Sequence, residues 1–287
     1  MIKNRKLFLS IFYGVFVALA SLFFFFDLEI SKSLVEDSPN FLYVLLAAVG
    51  EFPIYMGPVF FGIVYGITNK SKWSKLGCHF VGLIATYIGL VRLSDGIFEY
   101  YFSAQMGAIQ NILLAFVSLF LYLSLVLFFN RISFESLMKM KDISLMAFIV
   151  SISSFLIVSG MKLFWGRPRY RTLSDDYSEY VNFLTIDAFR NGIPSSEYCS
   201  FPSGHTNAAT SLLLYALIPF RMTKKKVVKY LVSIFCVFYP FVVAFTRIGI
   251  GAHFASDVLF GFGVSFTCLI VTYIIFEKKG WLYVRND

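Results

Sequence analysis

Residues 7–26 read LFLSIFYGVFVALASLFFFF, twenty positions without a charge. As a helix this stretch rises about 30 Å, the thickness of a bilayer's hydrocarbon core. Lys3, Arg5 and Lys6 precede it, and Asp27 and Glu29 follow with no small-residue cleavage pattern. The run therefore reads as a retained first membrane helix rather than a removable signal peptide. Seven more runs of similar character follow, at 52–67, 76–91, 109–129, 143–164, 204–220, 228–245 and 254–276. Residues 41–50 are also apolar, but Glu51 and Pro53 interrupt them, so they form either an interfacial helix or an extension of the second span. The chain is 58% hydrophobic and only 15% charged, whereas a soluble domain carries roughly 25% charged residues. The fold expected is all-α: a polytopic transmembrane helical bundle of about eight spans.

The charges test that topology. With the N-terminus inside and loops alternating, the inner side holds Lys3, Arg5, Lys6, Lys70, Lys72, Lys75, Arg131, Lys139 and Lys141. It also holds Arg221, Lys224, Lys225, Lys226, Lys229, Lys278, Lys279 and Arg285, which brings it to 17 of the 25 basic residues. The inner acids are Glu135, Asp142, Glu277 and Asp287. This asymmetry obeys the positive-inside rule, so the net charge of +8 is a topology signal and not a nucleic-acid footprint. Both termini are expected to be cytoplasmic, in a multi-pass protein of the plasma membrane. Cys78, Cys199, Cys236 and Cys268 have no paired or metal-type spacing, and no disulfide is expected.

Eight basic residues remain for the outer side: Lys32, Arg92, Lys162, Arg167, Arg169, Arg171, Arg190 and Arg247. Several of them fall in three polar islands, KLFWGRPR (162–169), PSGH (202–205) and RIGIGAHFASD (247–257), which also hold two of the chain's three histidines. All three islands end or begin spans on the same face. Ser203 and Gly204 open a span, where free N–H groups and the helix dipole favour an anion; Ser203 can equally be an N-cap. His253 and Asp257 are four apart, on one helical face, so the carboxylate can accept the Nδ1 proton and leave Nε2 as a base or nucleophile. A nucleophile beside several cations suits attack on phosphorus, whose transition-state oxygens the cations neutralise.

These islands resemble the tripartite signature of the type 2 phosphatidic acid phosphatase superfamily, Lys-x6-Arg-Pro, Pro-Ser-Gly-His and Ser-Arg-x5-His-x3-Asp. Here Tyr170 stands where the first motif has Pro, and Thr246 where the third has Ser; the ionisable positions are intact. The resemblance covers roughly 143–276, with 1–142 as N-terminal transmembrane helices, two of them additional to the family's six-span plan, and 277–287 as a tail. It implies that His253 attacks phosphorus to form a phosphohistidine, oriented by Asp257. His205 would protonate the leaving oxygen and then help activate water. Lys162, Arg169, Ser203, Gly204 and Arg247 would bind the phosphate, with no metal and no other cofactor.

The expected activity is hydrolysis of a lipid phosphate or pyrophosphate at the outer face, with the bilayer and the lipid as partners and no nucleic acid. Transfer of the phosphoryl group to a second lipid uses the same intermediate and stays open. A transporter or anion channel would place charges near mid-membrane in paired repeats, which this chain lacks. Arg167 is a helper outside the signature's ionisable positions. Tyr177, Tyr180, Phe183, Phe189 and Tyr198 in the loop 170–201 form either a lid or interfacial anchors. His79, distant from the islands, is expected to be structural.

Overall fold

In hydrocarbon a backbone must satisfy its own N–H and C=O groups, which leaves these apolar runs no structure but helix. The computed structural model describes residues 4–36, 41–102, 107–186 and 196–283; Lys3, Phe189, Arg190, Arg285 and Asp287, named above, lie outside them. Among the described residues every regular element is helical. The helices are α1 (Arg5–Leu34), α2 (Phe41–Val49), α3 (Pro53–Thr68), α4 (Lys72–Phe102), α5 (Ala108–Phe129) and α6 (Phe134–Trp165). After a long loop come α7 (Gly204–Thr210), α8 (Ile218–Met222), α9 (Lys226–Gly249) and α10 (Ala255–Lys278).

Six of these, α1, α4, α5, α6, α9 and α10, are long and apolar enough to cross a membrane, and α2 with α3 makes a seventh candidate bent by 41°. The segment expected to be one continuous span at 204–220 is broken. A 3-10 stretch, Ser211–Leu217, separates α7 from α8. At the junction the Thr210 hydroxyl donates to the Thr206 carbonyl and the Ser211 hydroxyl to the Ala208 carbonyl, each at 2.7 Å. Hydroxyls bonding back into a helix loosen its ladder, and Pro219 then supplies no N–H. At ordinary rises the whole segment is still about 32 Å long, enough for a crossing. α6 runs unbroken through residues 142 and 143, so the edge of the motif-bearing region is not a break in the backbone.

The two ends of the bundle differ in chemistry. Arg5 at the start of α1 pairs with Glu277 at the end of α10, which places both ends of the described chain together. At that same end Arg221 pairs with Asp142, and Asp142 also accepts the Tyr283 N–H at 2.8 Å. The main apolar core lies there, built by Phe60 and Val64 of α3, Leu137, Met140, Ile143 and Met146 of α6, Leu214, and Phe276 of α10. The three islands gather at the opposite end. Large side chains such as Phe25, Phe116, Phe120 and Leu231 face outward, a surface suited to lipid tails.

Between lipid-solvated helices, close backbone approach replaces the hydrophobic effect as the glue. Gly62 of α3 provides it: a Cβ there would sit 2.7 Å from the Cys78 carbonyl oxygen and from the Gly82 Cα of α4. Both neighbours are backbone and cannot swing away. Gly62→Val is therefore expected to cost about 1–3 kcal/mol or more through overpacking, read as a lower melting temperature in detergent. Gly77→Val, with nothing within 4 Å, is the matched control and should melt within a degree or two of the parent.

Candidate active site

The loop after α6 returns to the bundle through Arg167. Its guanidinium is fully buried, and every part of it is spoken for. Nε donates to the Val181 carbonyl at 2.8 Å, one terminal nitrogen to Asp257 at 2.5 Å and to Ser256 at 2.8 Å, and the other to Asp27 at 2.8 Å. The ring of Phe254 lies 4.1 Å from the guanidinium carbon. Asp27, near the far end of α1, also accepts the Ser256 N–H at 2.9 Å and the Ser256 hydroxyl. Two carboxylates thus meet the first turn of α10, where free N–H groups and the helix dipole favour negative charge.

Asp257 is the centre of this arrangement. One oxygen takes Arg167; the other accepts the Ser200 hydroxyl and, at 2.9 Å, the Phe254 N–H. His253 Nδ1 faces that second oxygen at 3.5 Å, an ion-pair distance longer than a made hydrogen bond. His253 is only 1% exposed. Burial foremost, with Arg247, Lys162 and Arg169 nearby, pushes its imidazole well below the usual range, against the opposing pull of Asp257. The ring is accordingly neutral near pH 7 and keeps a lone pair.

The second island packs directly onto α10. The Ser203 N–H donates to the Asp257 backbone carbonyl at 2.9 Å, and a Cβ on Gly261 would stand 2.3 Å from the Ser203 carbonyl oxygen. Only glycine admits that contact. Ser203 is buried and acts as the N-cap of α7, its hydroxyl accepting from the Thr206 N–H at 3.3 Å and the Thr206 hydroxyl at 3.1 Å. Gly204 lies next to Lys162, whose Cε would be 3.7 Å from an added Cβ. Lys162 donates to the Cys199 carbonyl at 2.5 Å, and the Arg169 guanidinium reaches the Ala252 carbonyl at 3.4 Å. Lys162, Arg169 and Arg247 all lie close enough to act on the charge of both His205 and His253. The structure thus brings together all eight residues singled out from the sequence: His253, His205, Asp257, Lys162, Arg169, Ser203, Gly204 and Arg247.

A cavity of about 450 Å³ opens on this cluster. His205, Arg169 and Arg247 line one side; Glu51, Arg92 and Asp95 from the N-terminal half line the other. Sequence reasoning undervalued Arg167 and gave no role to Asp27, Glu51, Ser200 or Ser256. The available signal was a carboxylate placed directly after an uncharged run, as at Asp27, or interrupting one, as at Glu51. The loop aromatics are partly scaffold: Phe183 is buried against Phe201 and Phe260, and Tyr180 packs on Phe254. His79 meets the Tyr122 hydroxyl at 3.0 Å, between α4 and α5.

Residues 143–281, which contain all three islands, match the family model of the PAP2 superfamily. This stretch is a PAP2 superfamily domain. Members of that superfamily are generally phosphatases, and the match fits a membrane protein acting on lipid phosphates. No curated protein and no solved structure matches the chain.

Removing the charge of Asp27 would leave Arg167 underpaired in a buried site. Breaking one partner from a buried ion pair costs about 3–5 kcal/mol. Asp27→Asn, which keeps shape, should therefore lower thermal stability in detergent by that order; a change under about 1 kcal/mol would contradict the pairing.

Proposed function

We propose that this protein is an integral membrane phosphatase that hydrolyses a lipid phosphate or pyrophosphate monoester at the outer membrane face through a phosphohistidine. The observation that carries this reading is His253, buried beside Asp257, with three cations and a second histidine around it. Within this reading 1–142 are accessory transmembrane helices, 143–276 the catalytic core and 277–287 a cytoplasmic tail. The basic loops at the end opposite the site support an extracytoplasmic active site in the plasma membrane.

The chemistry follows from the charges. Lys162, Arg169 and Arg247 draw the phosphate in and neutralise its equatorial oxygens as charge builds on them. His253 Nε2 attacks phosphorus while the bond to the leaving oxygen breaks, and protonated His205 gives that oxygen its proton. Asp257 stabilises the positive charge that His253 acquires as the N–P bond forms. Water then enters; His205, now neutral, takes its proton, the oxygen attacks phosphorus, and the N–P bond breaks to release inorganic phosphate. Each residue returns to its starting protonation state. The cations do the electrostatic work a metal would do elsewhere, and the mechanism needs no further cofactor.

His253→Asn tests the reading. Purified in detergent and offered a panel of lipid phosphates and pyrophosphates, the variant should release phosphate at least about 10³-fold more slowly than the parent, while lipid binding persists, because the cation cradle is untouched. Unchanged turnover would remove His253 as nucleophile. Activity in the parent only when a second lipid acceptor is supplied would make the protein a phosphotransferase.

A further inference from the structure

We infer that Glu51, from the N-terminal half, is the positioning residue that holds the proton on His205 for delivery to the leaving group. The inference rests on the phosphohistidine reading and assigns a catalytic purpose to helices outside the PAP2 domain.

The leaving oxygen needs a proton, and His205 sits badly for keeping one. Arg247, Lys162 and Arg169 all act on its ring with like charge. An imidazolium among these groups requires a nearby anion. Glu51 Oε2 lies 3.8 Å from His205 Nε2, and both residues line the cavity. Asp257 cannot serve both histidines: Arg167, Ser200, the Phe254 N–H and His253 already surround it.

Glu51 is built into its place. It occupies the break between α2 and α3, where Pro53 starts α3 and the Phe52 N–H turns back to the Val49 carbonyl at 3.0 Å. That same Val49 carbonyl accepts the hydroxyl of Tyr239 on α9 at 3.0 Å, which ties the break to the helix carrying Arg247. The two carboxylate oxygens have separate duties. Oε1 accepts the Tyr55 hydroxyl at 3.2 Å and faces Arg92 at 3.6 Å; Oε2 is turned to His205. Only 18% of the side chain is exposed, so the attraction is screened less than at an open surface. The 3.8 Å separation exceeds a hydrogen bond, and the force across it is electrostatic. It favours the protonated ring before the P–O bond breaks.

The test is leaving-group dependence. A long-chain alkyl phosphate expels a basic alkoxide and needs the proton; 4-nitrophenyl phosphate expels a stable anion and scarcely does. In Glu51→Gln, kcat for the alkyl phosphate should fall about 10- to 100-fold, part of the roughly 10²–10⁴ that general acid catalysis supplies. With 4-nitrophenyl phosphate the fall should be no more than about 3-fold. Glu51→Asp should recover part of the alkyl activity. Tyr55→Phe, which loosens Oε1 and leaves the charge, should shift the alkyl-to-aryl ratio in the same direction by a smaller factor; it serves alone if Glu51→Gln does not fold. Equal losses on both substrates, or no loss on either, would overturn this role for Glu51 while leaving the phosphatase reading intact. A parent protein that releases phosphate from neither substrate would remove both.

Discussion

The buried guanidinium of Arg167 is the constraint on which the site depends. An arginine cannot shed its charge to escape a low dielectric, so it must be surrounded by acceptors, and here they come from three distant segments. Asp27 belongs to α1, Val181 to the loop after α6, and Ser256 with Asp257 to the first turn of α10. Satisfying one side chain therefore fixes where three pieces of chain lie relative to one another. Asp257 then passes that order on. Its carboxylate positions the Phe254 N–H and Ser200 and faces His253, and its backbone carbonyl receives the Ser203 N–H that opens α7. Motifs far apart in sequence are joined through one residue.

This arrangement also explains why the polar and apolar parts of the bundle sit at opposite ends. Close-packed apolar side chains fill the end where the chain termini meet. At the other end, charged groups are held in compensating sets. Arg167 is balanced by Asp27 and Asp257, and Arg171 by Glu197. Lys162, Arg169 and Arg247 act with positive charge on both His205 and His253. Positive charge of this kind suits an anionic substrate, and Glu51, Arg92 and Asp95 from the N-terminal helices also line the cavity.

The fold class was legible because a membrane reduces the choice to helix, and length with charge asymmetry then gives spans and their alternation. The eight site residues were legible because chemistry-bearing side chains stand out against an apolar background. What escaped was of two kinds. The break within 204–220 falls where Thr210 and Ser211 bond back to backbone carbonyls, a choice that composition does not reveal. Asp27 and Glu51 read as ordinary polar ends of apolar runs, since nothing in a single sequence says that α1 crosses over α10 or that the α2–α3 break lies against α7. Arg167 was visible but fell between the signature positions, so its burial between two carboxylates could not be anticipated.

Covalent attack by His253 is open to a single-turnover reaction quenched in alkali, because phosphoramidates survive base. With a labelled lipid phosphate, transient label is expected on the protein, mapping by mass spectrometry to the peptide carrying His253 and absent from His253→Asn. It should persist longer in His205→Ala, where water is not activated. Rapid phosphate release from the parent with no labelled protein at any quench time, or label mapped to another residue, would contradict it.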